Sequence, residues 1–397
     1  MDKPFSRQYI VMNPLIQSLN KLPLTHGKAP AFTEIASMIR DIHRESKQLS
    51  LQESHFELVD VKPKLIYLDF QDETFIDDKI VHYIKTHIKK MLVFTYTTKK
   101  TTIRATFAIF NESKDTIEQY KYYCKWIVNW FMLCVKHSES KCHKSIRLHL
   151  YLTHFTKTFP YHKGETLGEE NANSAYTYPC KHNNKIVLFR QEEWFKVLIH
   201  ESFHYFDLEN IKHSLLKVNQ LFPISTDILL GEAYAEFWAR IINSIYVSYD
   251  LSAPMYQLDT VKMHFERVFY IEQMFSSYQA VKLLHYMGLD YTNIIYNSDK
   301  DILKRKNYKE ETNIFAYYVI TSLLMHCSAM VTKWCKEHNH SLIRFNKQHI
   351  QLFINVIERC RNQTSIIENF SILQTYIDSE NRSHSLTTMR MTLLDFL

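Results

Sequence analysis

Residues 185–209 read KIVLFRQEEWFKVLIHESFHYFDLE, and a change of period inside this stretch decides the fold. Residues 185–190 are a short apolar run behind the polar turn His182-Asn183-Asn184, which predicts a strand. From 192 to 209 the apolar residues Trp194, Val197, Leu198, Phe203, Phe206 and Leu208 predict a largely buried helix. Upstream, strands and helices alternate; downstream, strand signals nearly vanish. The chain therefore reads as α+β, with a sheet-bearing N-terminal lobe and a mostly helical C-terminal lobe.

Within the predicted helix lies His200-Glu201-Ser202-Phe203-His204. Histidines four apart share one helix face, so both imidazoles can grip one metal ion, and Glu201 can reach a water bound to it. A tetrahedral catalytic zinc needs a third protein ligand and one open position. The metzincin solution requires glycine at 207 and histidine at 210; Asp207 and Asn210 exclude it, and His213 stands at the wrong spacing. Downstream, STDILLGEAYAEFWARIINSIY predicts a second apolar helix, with Thr226 or Asp227 as its cap. It carries Glu232 and Glu236 on one face. One carboxylate can bind metal while the other orients a ligating histidine.

His200, Glu201, His204, Glu232 and Glu236, in this order, resemble the gluzincin (thermolysin-like) zinc metallopeptidases. The 27 residues between His204 and Glu232 make a longer connection than in compact members of that class. The resemblance implies Zn²⁺ held by His200, His204 and Glu232, with Glu201 as general base and Glu236 steadying a ligand. It implies a metal site at the junction of the two lobes. It also implies an edge strand for an extended peptide just before the active helix, where Asn173, Ser174, Ala175 and Tyr176 stand. A Tyr or His from the helical lobe would stabilise the oxyanion; Tyr317 and Tyr318 are the candidates, with His285 and His326 behind them. No GxMEN-type aminopeptidase signature is present, which favours an endopeptidase. Two alternatives stay open: a catalytically silent interaction or structural protein on a metallopeptidase fold, and a zinc hydrolase of a non-peptide amide or ester.

Composition is consistent with a protein of this kind. In 397 residues there are only 5 Gly and 9 Pro, against 25 Tyr and 25 Phe, and 46% of residues are hydrophobic, as long helices and few linkers require. The net charge of +6 is dispersed, so no nucleic-acid partner is expected; the expected partner is a peptide or protein substrate. Oligomeric state is not legible. Seven cysteines without a CxxC pair predict free thiols in a reducing, cytoplasmic compartment, and the N-terminus shows no signal peptide. The most apolar run, 126–135, is too short to span a bilayer.

The predicted organisation is a peripheral segment over 1–60 with a helix at 31–47, an α+β lobe over 61–210, and a helical lobe over 211–397. Strands are expected at 64–70, 92–98, 101–110, 146–153, 171–178 and 185–190. Helices are expected at 77–91, 113–137, 224–245, 256–275, 276–287, 310–336, 346–361 and 364–379, with Gly288 as a helix stop.

Overall fold

The computed structural model describes residues 14–48, 54–61, 75–138, 144–178, 184–211, 216–296, 298–379 and 384–395. The fold is mixed α+β, with a six-stranded sheet in the N-terminal half and a mostly helical C-terminal region. The chain divides into two compact units. One comprises 36–156 and 173–208 and holds the sheet; the other comprises residues up to 35, 157–172 and those from 209 onward.

In the sheet unit, α1 (Phe32–Gln48, beginning in the other unit) precedes β1 (Ser54–Asp60), α2 (Asp78–His87), β2 (Lys90–Thr97) and β3 (Thr102–Ile109). Then follow α3 (Lys114–His137), β4 (Ser145–Thr153), β5 (Ala175–Thr177), β6 (Ile186–Arg190) and α4 (Trp194–Tyr205). The strand order is β1-β2-β3-β4-β6-β5. β1, β2 and β3 pair antiparallel in that order, with α2 between β1 and β2; β3–β4 and β4–β6 pair in parallel, and β5 returns antiparallel to β6. The β2–β3 hairpin closes without Gly or Asn because Thr98 Oγ1 accepts from Lys100 N at 3.3 Å and Thr101 N at 3.0 Å.

β1 lies inside the segment expected to be peripheral. Its burial alternates poorly, as an edge strand with both faces partly solvated would, so its sequence carries little period-2 signal. The strand expected at 64–70 falls outside the described residues.

Parallel pairing of β3 and β4 needs a crossover, and α3 supplies it. Ser113 caps it, its Oγ accepting from Thr116 N at 3.1 Å. Period 2 sorts the sheet faces. Phe107 stacks on Tyr120 of α3, with ring centroids 4.7 Å apart, while Ala108, Tyr151, Tyr176, Val187 and Phe189 pack with Ile80 and Ile84 of α2. Helices thus cover both faces of the sheet, with α2 on one side and α3 with α4 on the other. Asn129, inside the most apolar run, is fully buried and donates to Ile42 O at 3.0 Å and Ser46 Oγ at 3.1 Å, which meets the cost of its burial.

The helical unit is built on α5 (Leu230–Leu251) and α6 (Leu258–Tyr286). The two helices expected at 256–275 and 276–287 are this single α6. It ends at Gly288 (φ 69°), where Leu289 N bonds Leu284 O at 2.8 Å in a Schellman closure. The helix expected at 310–336 is broken into a π-helical turn at Ala316–Ile320, then α7 (Thr321–His326) and α8 (Ser328–His338). α9 (Ile350–Arg361) and α10 (Thr364–Ser379) follow. The segment 387–395 is held against this unit through its backbone. Lys282 Nζ donates to Thr388 O at 2.6 Å, Glu272 Oε1 accepts from Leu393 N at 2.7 Å, and Asn243 Nδ2 donates to Leu394 O at 3.2 Å. Among the described residues no helix is long and apolar enough to cross a membrane, and the five described cysteines are free and buried.

Candidate metal centre

α4 is buried along nearly its whole length, including His200 and Glu201, and only His204 is half-buried. Trp194 stacks on Tyr123 of α3 at 4.3 Å, and Trp130 Nε1 donates to Ser202 Oγ at 3.0 Å, so α3 clamps the helix in rotation as well as position. The helix stops at a Schellman motif with aspartate in the glycine position. Asp207 adopts φ 53°, Asp207 N bonds His204 O at 3.2 Å, and Leu208 N bonds Phe203 O at 2.8 Å. The chain therefore leaves the helix directly after the HExxH segment.

His200 Nε2 and His204 Nε2 face each other 3.1 Å apart. Two imidazole nitrogens on one tetrahedral zinc, each about 2.0–2.1 Å from it, would stand about 3.3 Å apart. Among the described residues one set of metal-capable side chains comes together: His200, His204 and Glu232 each offer a ligand atom, and these atoms lie within 4.8 Å of one another. Two nitrogens and one carboxylate oxygen are a donor set that suits zinc.

Glu232 occupies the first turn of α5, where a carboxylate is also favoured by the helix dipole. Its place depends on Gly231: a Cβ there would meet Ile211 O at 2.5 Å, so only glycine lets the 209–211 backbone pass this close. Neither Thr226 nor Asp227 caps α5, contrary to the sequence expectation. The residue before the helix is Leu229, with no side-chain cap, because Thr226 Oγ1 donates to Glu310 at 2.8 Å and Asp227 Oδ1 accepts from Asn219.

Glu236, one turn beyond Glu232, is fully buried against Arg240, with Oε1 2.9 Å from Nε. Arg240 Nη2 also reaches Tyr317 O at 3.4 Å. Arg240 escaped the sequence reading, although its spacing of four from Glu236 was a usable signal. Tyr317 and Tyr318 fall in the π-helical turn packed on α5; such turns recur at functional sites. Tyr318 is core, and its hydroxyl donates to Met389 O; that spent proton removes it as an oxyanion donor. Tyr317 is half-buried. His285 and His326 are engaged elsewhere, His285 beside Gln374 and Asp378 and His326 with Ser365 Oγ at 3.0 Å.

Residues 173–176 lie at the sheet edge, as expected. Among the described residues β5 is terminal, α4 packs against β5 and β6, Ser174 O accepts from Phe189 N at 2.9 Å, and Asn173 O accepts from Arg190 Nε at 3.0 Å. The Tyr176 side chain belongs to the core against α2, so Tyr176 can offer a ligand only its backbone. His213 lies outside the described residues.

Glu310 also escaped the sequence reading. It gathers Tyr308 Oη at 2.6 Å, Thr226 Oγ1 at 2.8 Å and Phe315 N at 2.7 Å, tying the approach to α5 to the start of the π-helical turn. Burial pushes its carboxyl up to about 7, from an ordinary value of 4.5. The folded chain then keeps a proton that the unfolded chain has released between pH 4.5 and about 7. Stability is expected to fall by about 2–3 kcal/mol as pH rises through that window. In urea unfolding followed against pH, Glu310→Gln should flatten this slope; an unchanged slope would assign it to other groups.

Comparison of the chain with protein-family models, curated proteins and solved structures returned no match.

Proposed function

We propose that this chain is a zinc-dependent peptidase of the gluzincin kind. The observation that carries the reading is the convergence of His200, His204 and Glu232, with Glu201 following the first histidine on a buried helix. Zinc, when bound by these three, would lower the pKa of a bound water toward neutrality and polarise the substrate carbonyl.

The rest of the work falls on the chain's own side chains. Glu201 takes the proton of the attacking water and later delivers it to the leaving amine. Glu236, fixed by Arg240, steadies a ligating side chain. Tyr317 is the aromatic residue we assign to the developing oxyanion charge, since the Tyr318 hydroxyl is already committed. An extended peptide adding to the β5 edge at Asn173, Ser174, Ala175 and Tyr176 would bind through backbone amides and carbonyls, with little demand on its own sequence. That edge favours a peptide over a compact amide or ester.

Purified chain should hold about one zinc ion, as three protein ligands converging on one site allow. A chelator should remove both the metal and peptide hydrolysis, and added zinc should restore both. His204→Ala and Glu232→Ala should each bind zinc weakly. Wild-type chain that stays metal-free in excess zinc would point to a silent scaffold. Hydrolysis confined to esters or non-peptide amides would move the substrate class.

A further inference from the structure

The π-helical turn at Ala316–Ile320 contains no Pro or Gly, so nothing in its sequence forbids an ordinary α turn. One carbonyl records which form is taken. In an α-helix Tyr317 O would accept from Thr321 N, four residues on. Here Thr321 N turns to Ala316 O and Tyr318 O instead. Arg240 Nη2, from α5, reaches the released Tyr317 O at 3.4 Å. Thr321 Oγ1 shares its proton between Ala316 O at 3.0 Å and Ala233 O at 3.4 Å, and Ala233 directly follows Glu232. α5 therefore holds the wide form of the turn from outside.

The same guanidinium is fixed from the metal side. Its Nε lies 2.9 Å from Glu236 Oε1, and both side chains are closed to solvent. A planar fork cannot follow one partner without moving its other arm. Glu236 stands one helical turn after Glu232, so whatever fixes these two carboxylates also sets where Nη2 points. Without Nη2, Tyr317 O falls back to Thr321 N. Expelling the extra residue of a π turn rotates one flank of the helix against the other by about 100°, which carries a side chain in the turn to a different face. The flanks are anchored separately: Glu310 Oε2 accepts from Phe315 N at 2.7 Å, and the Tyr318 hydroxyl donates to Met389 O. Two discrete forms of one turn, biased by one side chain, are what a coupling between sites requires.

We propose that Arg240 is a positioning residue that couples the metal site to the π-helical turn. Filling the site at Glu232 holds Glu236, Glu236 holds the guanidinium, and the guanidinium keeps Ala316–Ile320 in the wide form that seats Tyr317. This inference rests on the zinc-peptidase reading and adds to it a regulation: the empty site leaves the turn free to change register, and the filled one selects the working form. By linkage, the turn in its wide form also favours metal binding.

Amide hydrogen exchange of the full chain, read by mass spectrometry with and without zinc, tests it. In wild type, saturating zinc should slow exchange over 314–322 about tenfold more than over α6, which lies in the same unit. Arg240→Lys leaves Glu236 a cation, but a point charge cannot also span to Tyr317 O. This variant should bind zinc within about threefold of wild type and lose the extra protection over 314–322. On a peptide substrate its kcat should fall about tenfold at unchanged KM, and adding Tyr317→Phe should cost little more, because both changes act on one line of contacts. The wild-type comparison needs no variant, so it decides even if Arg240→Lys folds poorly. Zinc taken up with no extra protection over 314–322, or with the same protection in Arg240→Lys, would overturn the coupling and leave the zinc site standing. A chain that takes up no zinc would overturn both.

Discussion

Glu201→Gln is expected to lower kcat/KM for peptide hydrolysis by about two to four orders of magnitude while zinc content stays unchanged. Glutamine keeps the shape of the side chain but cannot accept the proton of the attacking water. Glu201 is not among the three clustered ligands, so its neutralisation removes a base and not a donor to the metal. It is also buried, and glutamine fills the same space, so a thermal melt checks that the variant keeps its fold. The rate loss corresponds to about 3–5 kcal/mol of transition-state stabilisation. Turnover of a peptide library, zinc per chain and a thermal melt separate the possible causes. Undiminished cleavage would remove Glu201 from the mechanism, and joint loss of zinc and activity would make it a structural residue.

Arg240→Ala should destabilise the helical unit by about 3–5 kcal/mol, because it takes from the Glu236 carboxylate, in a dry interior, the guanidinium that pairs with it. Both side chains are essentially inaccessible, at 0% and 1%, and the pair spans 2.9 Å. Replacing both partners removes the carboxylate as well, so Glu236→Leu with Arg240→Met should recover much of the loss. If Glu236 steadies a ligating side chain, the double variant should still bind zinc about 10–100-fold more weakly. Chemical denaturation and zinc competition measure the two effects separately. A double variant with wild-type zinc affinity would leave the pair purely structural.

Local patterns carried much of this protein. The buried helix around 194–205 was legible because its apolar spacing is strong, and the hairpin before it because turn residues bracket a short apolar run. The ends of α6 and α10 were legible from Gly288 and from a clean helical period. Harder features owed their form to distant neighbours. β1 reads as loop because an edge strand need not alternate. The break at Ala316–Ile320 carries no Pro or Gly; it shows only once α5 is packed against it. The Tyr318 hydroxyl was open to a catalytic role until the backbone at Met389 claimed it.

By itself the sequence determined the α+β class, the placement of His200 and His204 on one helix face, and the placement of Glu232 and Glu236 on another. Each follows from a spacing of a few residues on a single element, where backbone geometry alone sets what faces what. Only the tertiary structure decided that Glu232, 28 residues past His204, comes within 4.8 Å of both imidazoles. It alone decided that Glu310 is buried and that Tyr318 is core. Those outcomes depend on the packing of segments far apart in the chain, and the free energy that selects them is shared across many contacts which no short spacing encodes.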